Sequence, residues 1–128
     1  MYVQELLYQT KLTTKDLIKE TEKLMPNKNE YLYCDSAEPD RIDEFYRQGF
    51  NVYPADKSVK DGIDFCKSKA IRITSDSVNL IKEKDSYFWK KDRLGIKLDE
   101  PKKGRDHALD AMRYAAFSHF RERKVGFY

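Results

Sequence analysis

Tyr31-Leu32-Tyr33-Cys34-Asp35-Ser36-Ala37-Glu38-Pro39 is the stretch that decides the fold class. Aromatic and apolar residues give way abruptly to small, polar, turn-forming ones, the pattern of a buried strand that delivers the chain into a turn. Ser36 suits the cap of a helix carrying Ile42, Phe45 and Tyr46 up to Gly49, a residue that ends helices by taking up a left-handed backbone. Asp35 closes the strand, so its carboxylate stands at the carboxyl end, where open α/β sheets place their ligands. The same position also suits a carboxylate that only caps the following helix.

The alternation extends in both directions. Residues 2–8 combine β-branched and aromatic side chains and read as a strand. Thr13 or Thr14 then caps a helix whose Leu17, Ile18 and Leu24 follow helical spacing until Pro26 and Asn27 break it. After the central stretch, residues 51–53 form a strand, and Ser58 opens a helix with Val59, Ile63, Phe65 and Cys66 on its apolar side. Ile71 and Ile73 mark a third short strand. Residues 75–84 read as a helix burying Val78 and Ile81, and residues 87–91 as a fourth, edge-like strand. Residues 92–105 are rich in Lys, Asp, Gly and Pro and read as a loop before a final helix from about Asp106 to Arg121. Interleaved strands and helices are the mark of a layered α/β domain, here a single one over residues 1–128.

The totals agree with that reading. Across 128 residues, 40% are hydrophobic and 13% aromatic, with five Gly and four Pro, which fits a folded domain and not a disordered tail. Charged residues reach 37%, and no apolar run approaches the roughly 20 residues of a membrane span. The N-terminus carries Glu5 and lacks the basic-then-apolar pattern of a secretory signal. Cys34 and Cys66 have no C-x-x-C spacing and read as buried thiols of a reducing compartment. The net charge of +3 is too mild to prove a nucleic-acid partner unless the charges cluster.

The chemistry lies on the last helix. His107 and Asp110 are three residues apart, which puts both on one face, continued by Tyr114. Ala108, Met112, Ala115 and Ala116 on the opposite side are small or apolar and allow close approach to a sheet. Carboxylates with one imidazole suit Mg²⁺ or Mn²⁺, because hard cations prefer oxygen ligands, whereas zinc asks for more His or Cys. Two such ions activate water and stabilise the leaving oxygen of a phosphodiester. The bland alternative is a solvated helix face. Asp106 is a second-tier ligand that equally suits a cap for this helix.

At these residues the chain resembles the C-terminal nuclease domain of the large terminase subunit of tailed bacteriophages. The segments YVQELLYQ, LTTKDLIKE, YLYCDSAEP, VYPADKSVKDGIDFCKS, YFWKKD and RDHALDAMRYA look like that family's landmarks in order. The resemblance implies an RNase H-like fold, a mixed central sheet flanked by helices. It also implies a metal-dependent endonuclease that cuts concatemeric viral DNA for packaging in the cytoplasm of a bacterial host. Asp35 matches the second catalytic aspartate, Asp110 the last and His107 the histidine near the metals. The first aspartate lies in the family on a strand with no counterpart here, which implies a domain truncated at its front edge and an incomplete two-metal site. Glu5 is a tempting replacement of undetermined role. The implied partners are double-stranded DNA, an ATPase domain, the small terminase subunit and the portal. No Walker-type loop appears in this chain.

Lys57 and Lys60 follow a strand end, and Lys90, Lys91, Arg93, Lys102, Lys103 and Arg105 flank the expected loop, as phosphate contacts would. Lysine-rich loops are also commonly just solvated surface. Trp89 among them suits base stacking or edge packing. Two other readings stay open: a catalytically incomplete DNA-binding or assembly module, and another RNase H-like nuclease such as a resolvase. An uncovered first strand is also expected to invite self-association through its ladder edge.

Overall fold

The computed structural model describes residues 1–94 and 106–125, with backbone alone over 87–94 and 122–125. The protein is mixed α/β, with five helices and short parallel strand pairs among the described residues. It divides into two compact units, residues 1–8 with 58–113, and residues 9–57 with 114 onward.

The first unit contains β1 (Tyr2–Val3), α3 (Val59–Lys67), β4 (Arg72–Ile73), α4 (Val78–Leu94) and the first turns of α5 (His107–Val125). β1 pairs with β4 in parallel, Tyr2 opposite Arg72 and Val3 opposite Ile73. Two carboxylates tie its helices down. Glu5, just after β1, accepts the Leu80 backbone N–H at 2.8 Å and the Asn79 amide at 2.8 Å, satisfying donors in the first turn of α4. Glu83, on α4, accepts the Ala108 and Leu109 N–H groups at 2.9 and 3.1 Å on one oxygen and the Tyr8 hydroxyl at 2.8 Å on the other. Each carboxylate sits at a helix N-terminus, where exposed N–H groups and the helix dipole favour negative charge. Glu5 is therefore engaged as a cap.

Gly62 of α3 marks the tightest approach in this unit. A Cβ built there would lie 2.8 and 2.9 Å from Cγ and Cδ of Arg113, a side chain that is itself buried. Replacing helical Gly by Ala ordinarily gains about 1 kcal/mol, but overpacking costs about 1–3 kcal/mol, and the mid-chain carbons of a buried arginine have little room to move. Gly62→Ala is expected to lower stability in urea unfolding, and a stabilised variant would contradict this packing.

The second unit holds α1 (Thr14–Leu24), β2 (Tyr31–Cys34), α2 (Pro39–Arg47), β3 (Asn51–Pro54) and the remainder of α5. β2 and β3 run parallel in register from Tyr31–Asn51 to Cys34–Pro54. Thr13 caps α1 reciprocally: its hydroxyl accepts from Asp16 N–H, and the Asp16 carboxylate accepts from Thr13 N–H. α2 ends as Gly49 predicts. At φ +90 it lets its own N–H reach the Tyr46 carbonyl and the Phe50 N–H reach the Phe45 carbonyl. The Phe45 and Phe50 rings then meet edge to face at 5.2 Å and join Ile18 in the core, under Leu17, Met25, Leu32 and Val52.

Several sequence expectations are corrected. The strand expected over 87–91 is the continuation of α4, because no Gly or Pro between Val78 and Leu94 interrupts the helix and its Lys, Glu and Asp residues tolerate it. Val78 is 65% exposed, as the first residue of α4, and Leu80 at 2% takes the buried place. The first strand covers only Tyr2–Val3. The α2 cap is Glu38, not Ser36. On α5, Ala116 is buried but Ala115 is exposed, and Ser118 is buried because its hydroxyl accepts the Asp56 N–H at 2.8 Å.

Candidate functional site

The site residues fall into both units. Asp35 and Lys57 belong to the second; Lys60, Asp106, His107 and Asp110 belong to the first.

Asp35 follows the last residue of β2. One carboxylate oxygen, Oδ1, accepts the Ala37 N–H at 2.9 Å, a turn made by the side chain two residues back, and also takes the Lys57 ammonium at 2.9 Å. The Ala37 N–H and then Lys57 hold the carboxyl below its ordinary range. Asp35 thus does not cap α2, which begins at Pro39; it shapes the turn and stays charged at neutral pH. The folded form favours the ionised carboxylate, so the stability this gives is present above the ordinary pKa of 3.8 and is lost as pH falls through the lower folded value. Replacing Lys57 with methionine is expected to return the Asp35 pKa part of the way upward in carboxylate ¹³C NMR titrations; an unmoved value would show that the ion pair does not persist.

Cys34, beside Asp35, is pushed up to about 11 by burial, and burial likewise raises the Cys66 thiol. Both cysteines are unbridged. The thiolate is the reactive form, so neither reads as a nucleophile.

Asp110 lies in the first turn of α5. Arg113, one turn on, places a guanidinium nitrogen 3.6 Å from its Oδ1. Burial nevertheless wins: desolvation raises the Asp110 carboxyl, Asp106 and Glu83 push the same way, and Arg113 and His107 only partly offset them. The sign is opposite to that of Asp35. Its ionised form is disfavoured in the folded chain, so stability declines as pH rises above the ordinary carboxylate value of 3.8. Asp110→Asn is therefore expected to be at least as stable as the parent at neutral pH and to lose part of that pH dependence. Clear destabilisation in thermal unfolding at pH 7 would refute this.

Asp106 precedes α5, but Glu83 carries the capping of Ala108 and Leu109, and Asp106 lines a cavity together with Asp110. His107 is exposed. Of the basic residues, Lys57 is engaged by Asp35 and Lys60 is exposed on α3. Lys102, Lys103 and Arg105 lie outside the described residues, as do the side chains of Trp89, Lys90, Lys91 and Arg93.

Glu83, Arg113 and Lys57 as the partner of Asp35 were not visible in the sequence in these roles. A further cluster, equally unforeseen, lies in the second unit. Tyr31, Tyr33 and Tyr53 share one sheet face with His119 of α5, and the Tyr33 hydroxyl is 3.1 Å from His119 Nδ1.

Among the described residues, no group of three or more His, Cys, Asp or Glu is gathered as a metal would require. Mg²⁺ is commonly held by one or two carboxylates, with waters and substrate phosphates filling its shell. Asp35 in the second unit and the Asp106–Asp110 pair in the first each offer one or two carboxylates of that kind. Among the described residues no helix is long and apolar enough to cross a membrane. No family model, curated protein or solved structure matches the chain.

Proposed function

We propose that the chain is the nuclease part of a DNA-packaging terminase of RNase H-like fold, a metal-dependent endonuclease for double-stranded DNA. The observation that carries this reading is Asp35: a carboxylate held ionised at the carboxyl end of a parallel strand, beside a lysine. Asp110 adds to it. Desolvation pushes its carboxyl above the ordinary range, and carboxyls perturbed in this way cluster where chemistry is done.

In this reading Asp35 of the second unit, and Asp110 with Asp106 as a further donor in the first, are the carboxylates that would hold Mg²⁺ or Mn²⁺. When bound, the ion supplies Lewis-acid stabilisation of the phosphate and a more acidic water. Asp35 orients its oxygens through the Ala37 N–H. Lys57 steadies that carboxylate and offers its charge to the DNA backbone with Lys60, and Arg113 restrains Asp110. His107 stands exposed at the start of α5 as the catalytic histidine of this reading. The remaining carboxylate comes from outside the described residues. An ATPase domain, the small terminase subunit, the portal and a bacterial cytoplasm complete the proposal. The shortage of ligands favours one alternative, a DNA-binding or assembly module that keeps the basic face without cutting.

Mn²⁺ binding followed by electron paramagnetic resonance tests the reading. The full chain should bind the ion, and Asp35→Asn and Asp110→Asn should each weaken it by about tenfold, or about 1.4 kcal/mol. Absence of Mn²⁺ binding, or binding indifferent to both substitutions, sinks it. Relaxation of plasmid by the chain with Mn²⁺, lost in either variant, distinguishes the nuclease from the binding module.

A further inference from the structure

Beside β4 the first unit opens into a cavity of about 570 Å³, a volume in the range of binding pockets. Ile63 of α3, Ile71 and Ile73 at β4, Ile81 of α4 and Met112 of α5 make its floor aliphatic. Lys67, Lys69 and Lys84 stand among its walls. Val3 is the ladder neighbour of Ile73 and is not part of the lining, so the cavity lies toward the side of β4 that β1 leaves open.

The backbone points the same way. Arg72 N–H donates to the Met1 carbonyl at 2.8 Å and Thr74 N–H to the Val3 carbonyl at 3.0 Å. Alternate residues of a strand turn their polar groups to opposite edges, so Ile71 and Ile73 present theirs away from β1. Among the described residues no strand pairs with β4 on that edge.

We propose that this edge and cavity are the acceptor for an extended strand of a partner polypeptide. The strand carries aliphatic side chains toward the cavity, with carboxylates flanking them on the same face. An open ladder supplies main-chain hydrogen bonds and an adjoining cavity takes alternate side chains, which are the two components of strand addition. The charge of the walls selects the partner. Lys67 and Lys69, both exposed, outnumber Asp106, since Arg113 already faces Asp110. A second copy meeting this surface across a two-fold axis would set lysines against lysines, whereas a strand bearing carboxylates is matched. The proposal does not require the nuclease reading to hold, although Asp106 and Asp110 belong to both sites.

The probe is a fluorescein-labelled peptide, Glu-Thr-Val-Thr-Val-Thr-Glu, titrated with the full chain by anisotropy. Binding is expected, weakened about tenfold when lysines replace both glutamates and about tenfold when the peptide backbone is N-methylated at the ladder positions. In the chain, Lys67→Glu combined with Lys69→Glu should reverse the preference toward the lysine peptide. No binding, equal binding of the lysine peptide, or full affinity of the N-methylated peptide overturns the proposal. The peptide arms do not depend on any variant folding. A concentration-dependent dimer in sedimentation that Ile73→Asp abolishes assigns the surface to a second copy and overturns it as well.

Discussion

Glu83→Ala is expected to destabilise the first unit by about 3 kcal/mol, because charge-assisted hydrogen bonds contribute about 1.5–3 kcal/mol each and the groups left behind are part-buried donors. Glu83 is 8% exposed, and its two oxygens serve three donors, the Ala108 and Leu109 N–H groups and the Tyr8 hydroxyl. Water cannot readily replace it at such a site. Glu83→Gln keeps an oxygen for the two N–H groups and gives up the charge, so it should cost about a third as much. Urea unfolding with matched slopes measures both. A loss below about 1 kcal/mol for the alanine variant would show that α5 does not depend on this carboxylate. The same variant should loosen the start of α5, and with it His107 and Asp110, which hydrogen exchange at the Ala108 and Leu109 amides would register directly.

Phe45→Ala is expected to do more. Truncating a buried phenylalanine typically costs about 3–5 kcal/mol through lost transfer energy and the cavity left behind. Phe45 is 2% exposed, Phe50 is 3% exposed, and the two rings meet at 5.2 Å across the turn at Gly49. That contact both fills the core and holds the end of α2, so removing it acts on packing and on the turn together. A unit this small has only about 3–9 kcal/mol in hand, and the second unit should therefore lose cooperative unfolding. Phe45→Leu should retain it at a cost of about 1–2 kcal/mol. A Phe45→Ala chain with native near-ultraviolet dichroism would contradict the assignment of this core.

The parts of the fold that were legible in the sequence are those specified locally. The passage from β2 through the turn to α2 and β3 follows from Tyr31–Cys34, the Asp-Ser-Ala-Glu-Pro turn and Gly49, and each acts within a few residues of itself. Thr13 announced α1 in the same way. Aromatic composition misled at residues 87–91, since Tyr, Phe and Trp suit strands, yet a helix already under way at Val78 continues until something stops it. Val78 misled for a related reason: an apolar residue at the first position of a helix need not face the core. Glu83 was not legible at all. Its role depends on Tyr8, Ala108 and Leu109, which lie 75, 25 and 26 residues away, and no periodicity encodes that. Among the candidate site residues, the identity and strand-end position of Asp35 could be read, while its ion pair with Lys57 and the desolvation around Asp110 are products of packing.

The two capping carboxylates also bear on synthesis. Glu5 reaches 75 residues forward to Leu80, and Glu83 reaches 26 further on, to Leu109. Once made, the segment around Glu5 thus waits for Leu80 to emerge, and Glu83 in turn waits for the start of α5. Contacts so distant in sequence make for slow closure. With translation proceeding at about 5–20 residues per second, that segment spends several seconds without its mates. During that interval it is a candidate client for a chaperone, although residues 9–57 can already begin to gather around Phe45.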